Sequence, residues 1–178
     1  IIGRNSFLKR AIMSDSVPSM ILWGPPGSGK TTLAHIIAHK TKADFVQLSA
    51  VASGKKDLVE VVSKARTRSE QENKKTILFI DEIHRWNKAQ QDALLPSVER
   101  GIVTLIGATT ENPSFEVNSA LVSRARVFVL KKLSNIEIAG ILRKILIKLE
   151  KAGEKARIKK EAIATIADFS NGDARLAL

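Results

Sequence analysis

The stretch MILWGPPGSGKTTLAHIIAHKT, residues 20–41, decides the fold of this chain. Four residues typical of a buried strand lead into a turn rich in glycine and proline, and a helical pattern follows directly. The turn, GPPGSGKT at residues 24–31, has the spacing G-x-x-x-x-G-K-[ST] of a loop that wraps phosphate groups. Glycines let successive backbone N–H groups point at phosphate oxygens, and the N-terminus of the next helix adds its dipole. In this strand–turn–helix context, we interpret the turn as a phosphate-binding loop and not as a simple connection.

The residues of this loop have separate expected tasks. Lys30 is expected to reach the β and γ phosphates of a nucleotide, and the hydroxyl of Thr31 is expected to bind Mg²⁺. The residues predicted to bind the nucleotide are Gly24, Pro25, Pro26, Gly27, Ser28, Gly29, Lys30, Thr31 and Thr32.

A second apolar run, TILFI at residues 76–80, ends at two adjacent acids, Asp81 and Glu82. A Mg²⁺ ion on a nucleotide needs a rigidly held carboxylate, and a strand end provides one, so Asp81 is the predicted metal ligand beside Thr31. Glu82 is predicted to polarise the water that attacks the γ phosphate. Alone, the two acids fit equally well as a helix N-cap and a first-turn dipole partner. The phosphate loop favours the catalytic interpretation.

Short apolar runs alternate with helical patterns along the first 133 residues. The predicted strands are MILW, FVQLSA, TILFI, VTLIGA and VFVL, at residues 20–23, 45–50, 76–80, 103–108 and 127–130. Apolar strands that alternate with helices predict an α/β fold whose parallel sheet is flanked by helices. The polar segment RTRSEQENKK, residues 66–75, is predicted to be a loop, and Pro96 is predicted to interrupt a helix over residues 87–100.

The chain changes character after Leu133, because only helical patterns follow. Ser134 and Glu137 form a predicted capping box ahead of an apolar helix face, and a second helix is predicted near residues 160–169. We therefore predict an α/β nucleotide-binding domain over residues 1–133 and the start of a small helical domain over residues 134–178. The final letters, GDARLAL, stop inside a helical pattern, so we expect a fragment with a truncated helical domain.

Composition narrows the classes of protein. No apolar run approaches the roughly 20 residues of a membrane helix, and the first residues lack the layout of a signal peptide. The absence of cysteine excludes disulfides and thiolate metal sites. These features fit an intracellular protein, and the location that we expect is the cytoplasm or nucleoid, or the nucleus of a eukaryote. The net charge of +11 fits a polyanionic partner or a solvated basic surface equally well.

These motifs resemble those of the AAA+ ATPases over nearly the whole chain. The segments similar to Walker B, sensor 1, the Ser-Arg-Cys motif of clamp-loader relatives and sensor 2 are ILFIDE, LIGATTENP, LVSRAR and GDARLAL, at residues 77–82, 105–113, 121–126 and 172–178. The resemblance implies a P-loop NTPase fold, a helical lid after residue 133, and ATP with Mg²⁺ as cofactors.

The same resemblance implies roles for five further residues. Thr110 would contact the γ phosphate or the attacking water, and Arg124 would be an arginine finger that completes a neighbouring subunit's site. Arg175 would be the lid residue that reads the γ phosphate. Because IIG at the start is similar to a segment that packs near adenine, Ile1 and Ile2 would line the base pocket. From the residues alone, Arg124 fits a surface salt bridge equally well.

Three longer stretches, at residues 18–38, 76–101 and 105–130, are similar to the RarA/MgsA family, the counterparts of the Werner helicase interacting protein. That resemblance implies a DNA-dependent ATPase of fork maintenance and recombination, acting on single-stranded, gapped or forked DNA. It also implies contact with single-stranded DNA-binding protein and a homotetramer. The family's C-terminal oligomerisation domain is not among these residues, so the tetramer prediction does not extend to this fragment.

Two alternatives remain open at this point. The letters DEIH, residues 81–84, also occur in superfamily 2 helicases, so the chain could be a helicase fragment. It could also be a scaffold subunit that holds a nucleotide without hydrolysing it.

Overall fold

The computed structural model describes residues 7–154 and 158–178, and the chain divides into two compact units. The first unit comprises the described residues up to Trp23 together with Lys30–Val129. The second comprises Gly24–Gly29 and Leu130–Leu178. The domain boundary expected after residue 133 stays a prediction, and Ile1 and Ile2 lie outside the described residues.

The first unit is built on a five-stranded sheet in which every strand pairing is parallel. Its strands, in the order β2-β3-β4-β1-β5 across the sheet, are β1 (Met20–Trp23), β2 (Asp44–Ser49), β3 (Thr76–Asp81), β4 (Thr104–Thr109) and β5 (Arg126–Val129). The parallel sheet predicted from the sequence is confirmed, and each strand boundary lies within one residue of its prediction. In this order β4 lies between β3 and β1, so the carboxyl ends of these three strands are neighbours at one edge of the sheet.

Helices connect the strands of this unit. They are α1 (Phe7–Met13), α2 (Lys30–Thr41), α3 (Lys55–Glu72), α4 (Lys88–Asp92), α5 (Leu95–Glu99), α6 (Pro113–Glu116) and α7 (Ser119–Val122), and a single-turn 3₁₀ helix spans Ile83–Arg85. The expected effect of Pro96 is confirmed, since it lies in the first turn of α5, after a break that separates α4 from α5.

Central strand β3 is buried on both faces, which explains why its sequence is apolar without alternation. On one face, Leu78 packs in a cluster with Leu58 of α3. On the other face, Phe79 stacks on Phe45 of β2 with ring centroids 6.0 Å apart, and Phe45 contacts His35 of α2 at 4.3 Å. Helices on both sides therefore hold β3, and the acids at its end, in a rigid setting.

The prediction of a loop over residues 66–75 is wrong for most of that segment. Helix α3 continues to Glu72 and ends at Asn73, which has left-handed backbone angles (φ 49°, ψ 36°) and donates its N–H to the Arg68 carbonyl. A helix needs only one apolar stripe, and here Leu58 and Ala65 are its buried residues. Its last two turns are polar because they face solvent, not because the helix has ended.

The second unit contains three helices, α8 (Asn135–Lys151), α9 (Lys160–Phe169) and α10 (Ala174–Ala177), and no strand among its described residues. Ile138 and Leu142 of α8 pack against Ile163 and Ala167 of α9. The predicted capping box at Ser134 is confirmed. Across residues 7–154 and 158–178, no helix is both long enough and apolar enough to cross a membrane.

The capping box makes the stability of α8 depend on pH. Hydrogen bonds from the backbone N–H and the hydroxyl of Ser134, each 2.8 Å from the Glu137 carboxylate, lower the pKa of Glu137. The ionised Glu137 carboxylate therefore stabilises the folded protein fully above about pH 4.3, the ordinary pKa of glutamate. This stabilisation is lost as the pH falls through the lower pKa that Glu137 has in the folded state.

We expect Glu137→Gln to lower the thermal unfolding temperature by a few degrees at pH 6, and we expect this difference to shrink as the pH falls below about 4.3. Circular dichroism melts over this pH range measure the effect, with Glu150→Gln at the other end of α8 as the matched control. A difference that stays constant with pH would contradict this assignment.

Candidate functional site

The carboxyl ends of three adjacent strands lie at one edge of the sheet. In the order β3-β4-β1, these ends are Asp81, Thr109 and Trp23, and Trp23 pairs with Thr109 in the β1–β4 register. The indole N–H of Trp23 donates to the Thr110 carbonyl at 3.3 Å and ties the ends of β1 and β4 together. In an open parallel sheet, this edge is where ligands bind. The sheet thus brings Asp81, Glu82 and Thr110 to the edge at which β1 ends.

Asp81 and Thr31 offer the oxygen ligands that Mg²⁺ prefers. Asp81 is the half-buried last residue of β3, and within residues 7–154 and 158–178 its carboxylate has no hydrogen-bonding or ion-pair partner. Thr31 is the half-buried second residue of α2, directly after the buried Lys30. In the same described ranges, no three His, Cys, Asp or Glu side chains group closely enough to hold a metal. The donor set suits an ion that also takes ligands from a nucleotide.

Glu82 has an unusual backbone. Its angles, φ 54° and ψ 47°, lie in the left-handed region, which costs a residue with a side chain on the order of 1–3 kcal/mol. Its carboxylate Oε2 lies 3.4 Å from the hydroxyl of Thr110, which donates toward it. Neither acid caps a helix: Glu82 precedes the 3₁₀ turn without a side-chain capping bond, so the N-cap alternative is not supported.

Two buried side chains anchor the turn that follows Glu82. Ile83 is fully buried and packs over Gly107 of β4, where an added Cβ would lie only 3.1 Å from the Ile83 Cδ1. Trp86 is also buried, and its indole N–H donates to the Ser53 carbonyl at 3.0 Å. Both side chains pack in the same buried cluster, so they fix the turn that follows Glu82.

The structure adds two residues that sequence reasoning did not assign to the site, His84 and Thr109. The Nδ1 atom of His84 lies 2.9 Å from the hydroxyl of Thr109 and 3.4 Å from Oε2 of Glu82. Thr109 is fully buried, and its hydroxyl also accepts the N–H of Glu111 at 3.0 Å. His84 and Thr109 are 25 residues apart in the sequence, so no local pattern reveals the pairing.

The phosphate loop, Gly24–Gly29, belongs to the second unit. Gly27 and Gly29 have positive φ angles of 66° and 88°, which other residues rarely adopt, and the Ser28 hydroxyl donates to the Pro25 carbonyl at 2.7 Å. An added Cβ at Gly27 would overlap Asp173. The curled loop therefore requires glycine at these two positions, as its motif predicts.

Arg175 lies next to a residue that contacts the loop. The N–H of Ala174 donates to the Gly27 carbonyl at 3.3 Å, and the N–H of Arg175 donates to the Asp173 carboxylate at 2.8 Å. The Arg175 side chain is 72% exposed, with its Nε 3.7 Å from Asp173. It is thus accessible within the second unit, and its role toward a nucleotide stays a prediction.

Arg124 belongs to the first unit and directly follows Ser123, the C-cap of α7. Its guanidinium pairs with Glu99 at 2.6 Å and also donates to the Ala120 carbonyl at 3.0 Å. The side chain remains 43% exposed. The salt bridge foreseen as the plain alternative is therefore present, and it leaves Arg124 partly accessible to a second molecule. Arg126, two residues on, lies over the ring of Phe7 at 3.8 Å.

Comparison with known proteins identifies the family. The family model described as "ATPase family associated with various cellular activities (AAA)" matches residues 20–133, which include every strand of the sheet. The chain belongs to the AAA family of ATPases. This assignment places DEIH in an AAA domain, so the superfamily 2 helicase alternative is not supported.

The AAA domain is similar along its length to named relatives. It is 49% identical over 100% of the chain to replication-associated recombination protein A of Haemophilus influenzae, covering 40% of that protein. It is 51% identical over 96% of the chain to the same protein of Escherichia coli K12, covering 38% of it. It is 50% identical over 99% of the chain to ATPase WRNIP1 of Dictyostelium discoideum, covering 21% of it. The RarA/MgsA resemblance is confirmed.

Among solved structures, the AAA domain is similar to the RuvB Holliday junction branch migration motor of Thermotoga maritima, with a TM-score of 0.75 and 31% identity. The match covers 96% of this chain and 55% of the motor. The predicted P-loop NTPase fold is confirmed. The chain spans about 40% of the length of the bacterial relatives named above.

Proposed function

We propose that this AAA domain binds ATP with Mg²⁺ and hydrolyses it, within a protein that acts on DNA during replication and recombination. The observation that carries the proposal is the pair of acids at the end of β3, with the Glu82 carboxylate 3.4 Å from the Thr110 hydroxyl at the end of β4. The phosphate-loop motif, which begins where β1 ends, supplies the second half of the argument.

The residues divide the chemistry among them. Lys30 and the N–H groups of the loop hold phosphate oxygens, and Thr31 and Asp81 bind the Mg²⁺. When bound, the ion neutralises charge on the β and γ phosphates. Glu82 orients and polarises the attacking water, and Thr110 hydrogen-bonds to the water or to the γ phosphate.

Arg124 is proposed to act on the nucleotide of a second copy. Its position at the end of α7, partly exposed and held by Glu99, supports a role at a subunit contact. An arginine that completes a neighbour's site requires a head-to-tail, heterologous arrangement of subunits. We therefore propose that the whole protein forms a homo-oligomer. The family resemblance implies that this oligomer is a tetramer.

Arg175 is proposed to report the state of the nucleotide to the helical unit. The adjacent Ala174 already contacts the loop carbonyl of Gly27, which supports the proposal. A γ phosphate would attract the exposed guanidinium of Arg175. Loss of the γ phosphate on hydrolysis would release the guanidinium. This differential attraction would couple hydrolysis to movement of the helices.

DNA is the proposed macromolecular partner, in single-stranded, gapped or forked form. The excess of 29 basic over 18 acidic side chains supports a polyanionic partner, and the relatives' names refer to replication, recombination and Holliday junctions. Contact with single-stranded DNA-binding protein, and a location with the DNA inside the cell, belong to the same proposal through the family resemblance.

The proposal is tested by ATP turnover of the full-length protein, with and without single-stranded, gapped, forked and fully duplex DNA. We expect turnover to rise with the first three and to depend on added Mg²⁺. Lys30→Ala should lose nucleotide binding and turnover together. Binding of ATP without turnover under any of these conditions would instead favour the non-hydrolysing scaffold.

A further inference from the structure

His84 occupies a position that the proposed mechanism does not use. Its side chain is only 11% exposed, and its Nδ1 atom faces two oxygens, the Thr109 hydroxyl at 2.9 Å and the Glu82 carboxylate at 3.4 Å. A histidine so placed beside the water-polarising carboxylate requires an explanation, because a buried polar group is normally held by specific partners.

The hydrogen bonds of Thr109 constrain what His84 can do. The hydroxyl of Thr109 accepts the Glu111 N–H at 3.0 Å and lies 3.2 Å from the Glu111 carbonyl, to which it can donate its single hydrogen. When it does so, its remaining lone pair must accept from His84, which then carries its proton on Nδ1. An Nδ1–H also faces Oε2 of Glu82, which can only accept. With Thr109 donating to the Glu111 carbonyl, His84 therefore adopts the tautomer whose Nδ1–H attracts the carboxylate.

The backbone makes this arrangement rigid. The left-handed conformation of Glu82 starts the 3₁₀ turn, so the side chains of residues 82 and 84 lie on the same side of it. Ile83 between them points the other way, into the core. Thr110 and His84 both contact the same carboxylate oxygen of Glu82, Oε2, and this shared contact restricts rotation of the carboxylate.

We propose that His84 is a positioning residue, which together with Thr109 holds the Glu82 carboxylate in the orientation that polarises the attacking water. His84 does not touch the nucleotide in this scheme and takes no proton from the water. The inference rests on the proposed role of Glu82, so its test must separate failure of the one from failure of the other.

The decisive comparison is between two substitutions of His84. In Asn, the side-chain amide lies where Nδ1 lies in histidine, whereas in Gln it lies near Nε2. We expect His84→Gln to lower kcat about tenfold, the effect of losing one close polar contact to the carboxylate, with an unchanged KM for ATP. His84→Asn should retain most of the activity. Thr109→Val, which removes the hydroxyl but keeps the shape, should lower kcat in the same direction.

His39→Ala, at an exposed histidine of α2, is the matched control and should behave as the unsubstituted protein. ADP binding and thermal unfolding are measured for every variant. A folded His84→Gln protein with full kcat would overturn the inference, and so would equal losses in the Asn and Gln variants.

A double substitution separates the inference from the proposed function. If His84 acts through Glu82, Glu82→Gln combined with His84→Gln should turn over no more slowly than Glu82→Gln alone. Multiplying losses would overturn the positioning role while leaving the catalytic role of Glu82 intact. Full activity of Glu82→Gln alone would instead remove the proposed function on which the inference rests.

Discussion

Replacing Glu82 by Gln is expected to lower the turnover number for ATP by about 10²- to 10⁴-fold, the usual contribution of a general base. The amide keeps the size and most of the shape of the carboxylate but cannot polarise water as a base. Because Glu82 is not among the residues proposed to hold phosphate or Mg²⁺, ATP and ADP affinities should change little. Steady-state hydrolysis and equilibrium binding of a fluorescent ADP measure the two quantities separately.

The matched control is Glu60→Gln, which removes an exposed carboxylate that pairs with Lys64 on α3. A surface pair of this kind contributes little, so turnover should be unaffected. If Glu82→Gln weakened nucleotide binding as much as turnover, the carboxylate would be a ligand rather than the base. Normal turnover would remove it from the mechanism altogether.

Replacing Arg124 by Ala is expected to have an effect of similar or larger size, about 10³- to 10⁵-fold in turnover, because arginine fingers stabilise charge in the transition state. Loss of the Glu99 salt bridge should cost little stability, since both partners are more than two-fifths exposed, at 43% and 44%. The enzyme should therefore fold and bind nucleotide normally. Hydrolysis assays and thermal unfolding of the full-length protein distinguish these outcomes.

Mixing two inactive variants tests whether Arg124 acts on a neighbouring subunit. In a mixed assembly of Arg124→Ala and Glu82→Gln subunits, some contacts join an intact Glu82 to an intact Arg124 and should recover activity. Arg126→Ala, at an arginine that lies over Phe7 in its own chain, is the matched control and should not need such rescue. Failure of mixing to restore turnover, in assemblies shown to exchange subunits, would place the arginine's effect within its own chain.

Much of the framework could be predicted from the sequence because its determinants are local. The five strands are short apolar runs bounded by turn residues, and the cap of α8 depends on Ser134 and Glu137, three residues apart. The acids at the end of β3 were predicted to act together with the phosphate loop because each signal has a fixed spacing. The end of helix α3 was predicted too early because a solvent-facing helical turn and a loop have the same polar composition.

The parts that could not be predicted depend on contacts between distant residues. The Thr109 hydroxyl hydrogen-bonds to His84 across 25 residues, and Glu99 pairs with Arg124 across a comparable separation. The sequence alone does not show which residues so far apart along the chain come into contact in the fold. The left-handed backbone of Glu82 was also unforeseen, because the residue's own preference does not predict it.

That backbone has a consequence for engineering the protein. Asparagine adopts left-handed angles more readily than other residues with side chains, and valine or isoleucine adopts them least readily. Backbone conformation and side-chain chemistry at position 82 can thus be varied separately. Asparagine would reduce the backbone strain without supplying a base. A β-branched residue would disfavour the left-handed conformation itself. The cost of the left-handed backbone at Glu82 is met once, when the chain folds. The Glu82 side chain then keeps the same orientation in each catalytic cycle.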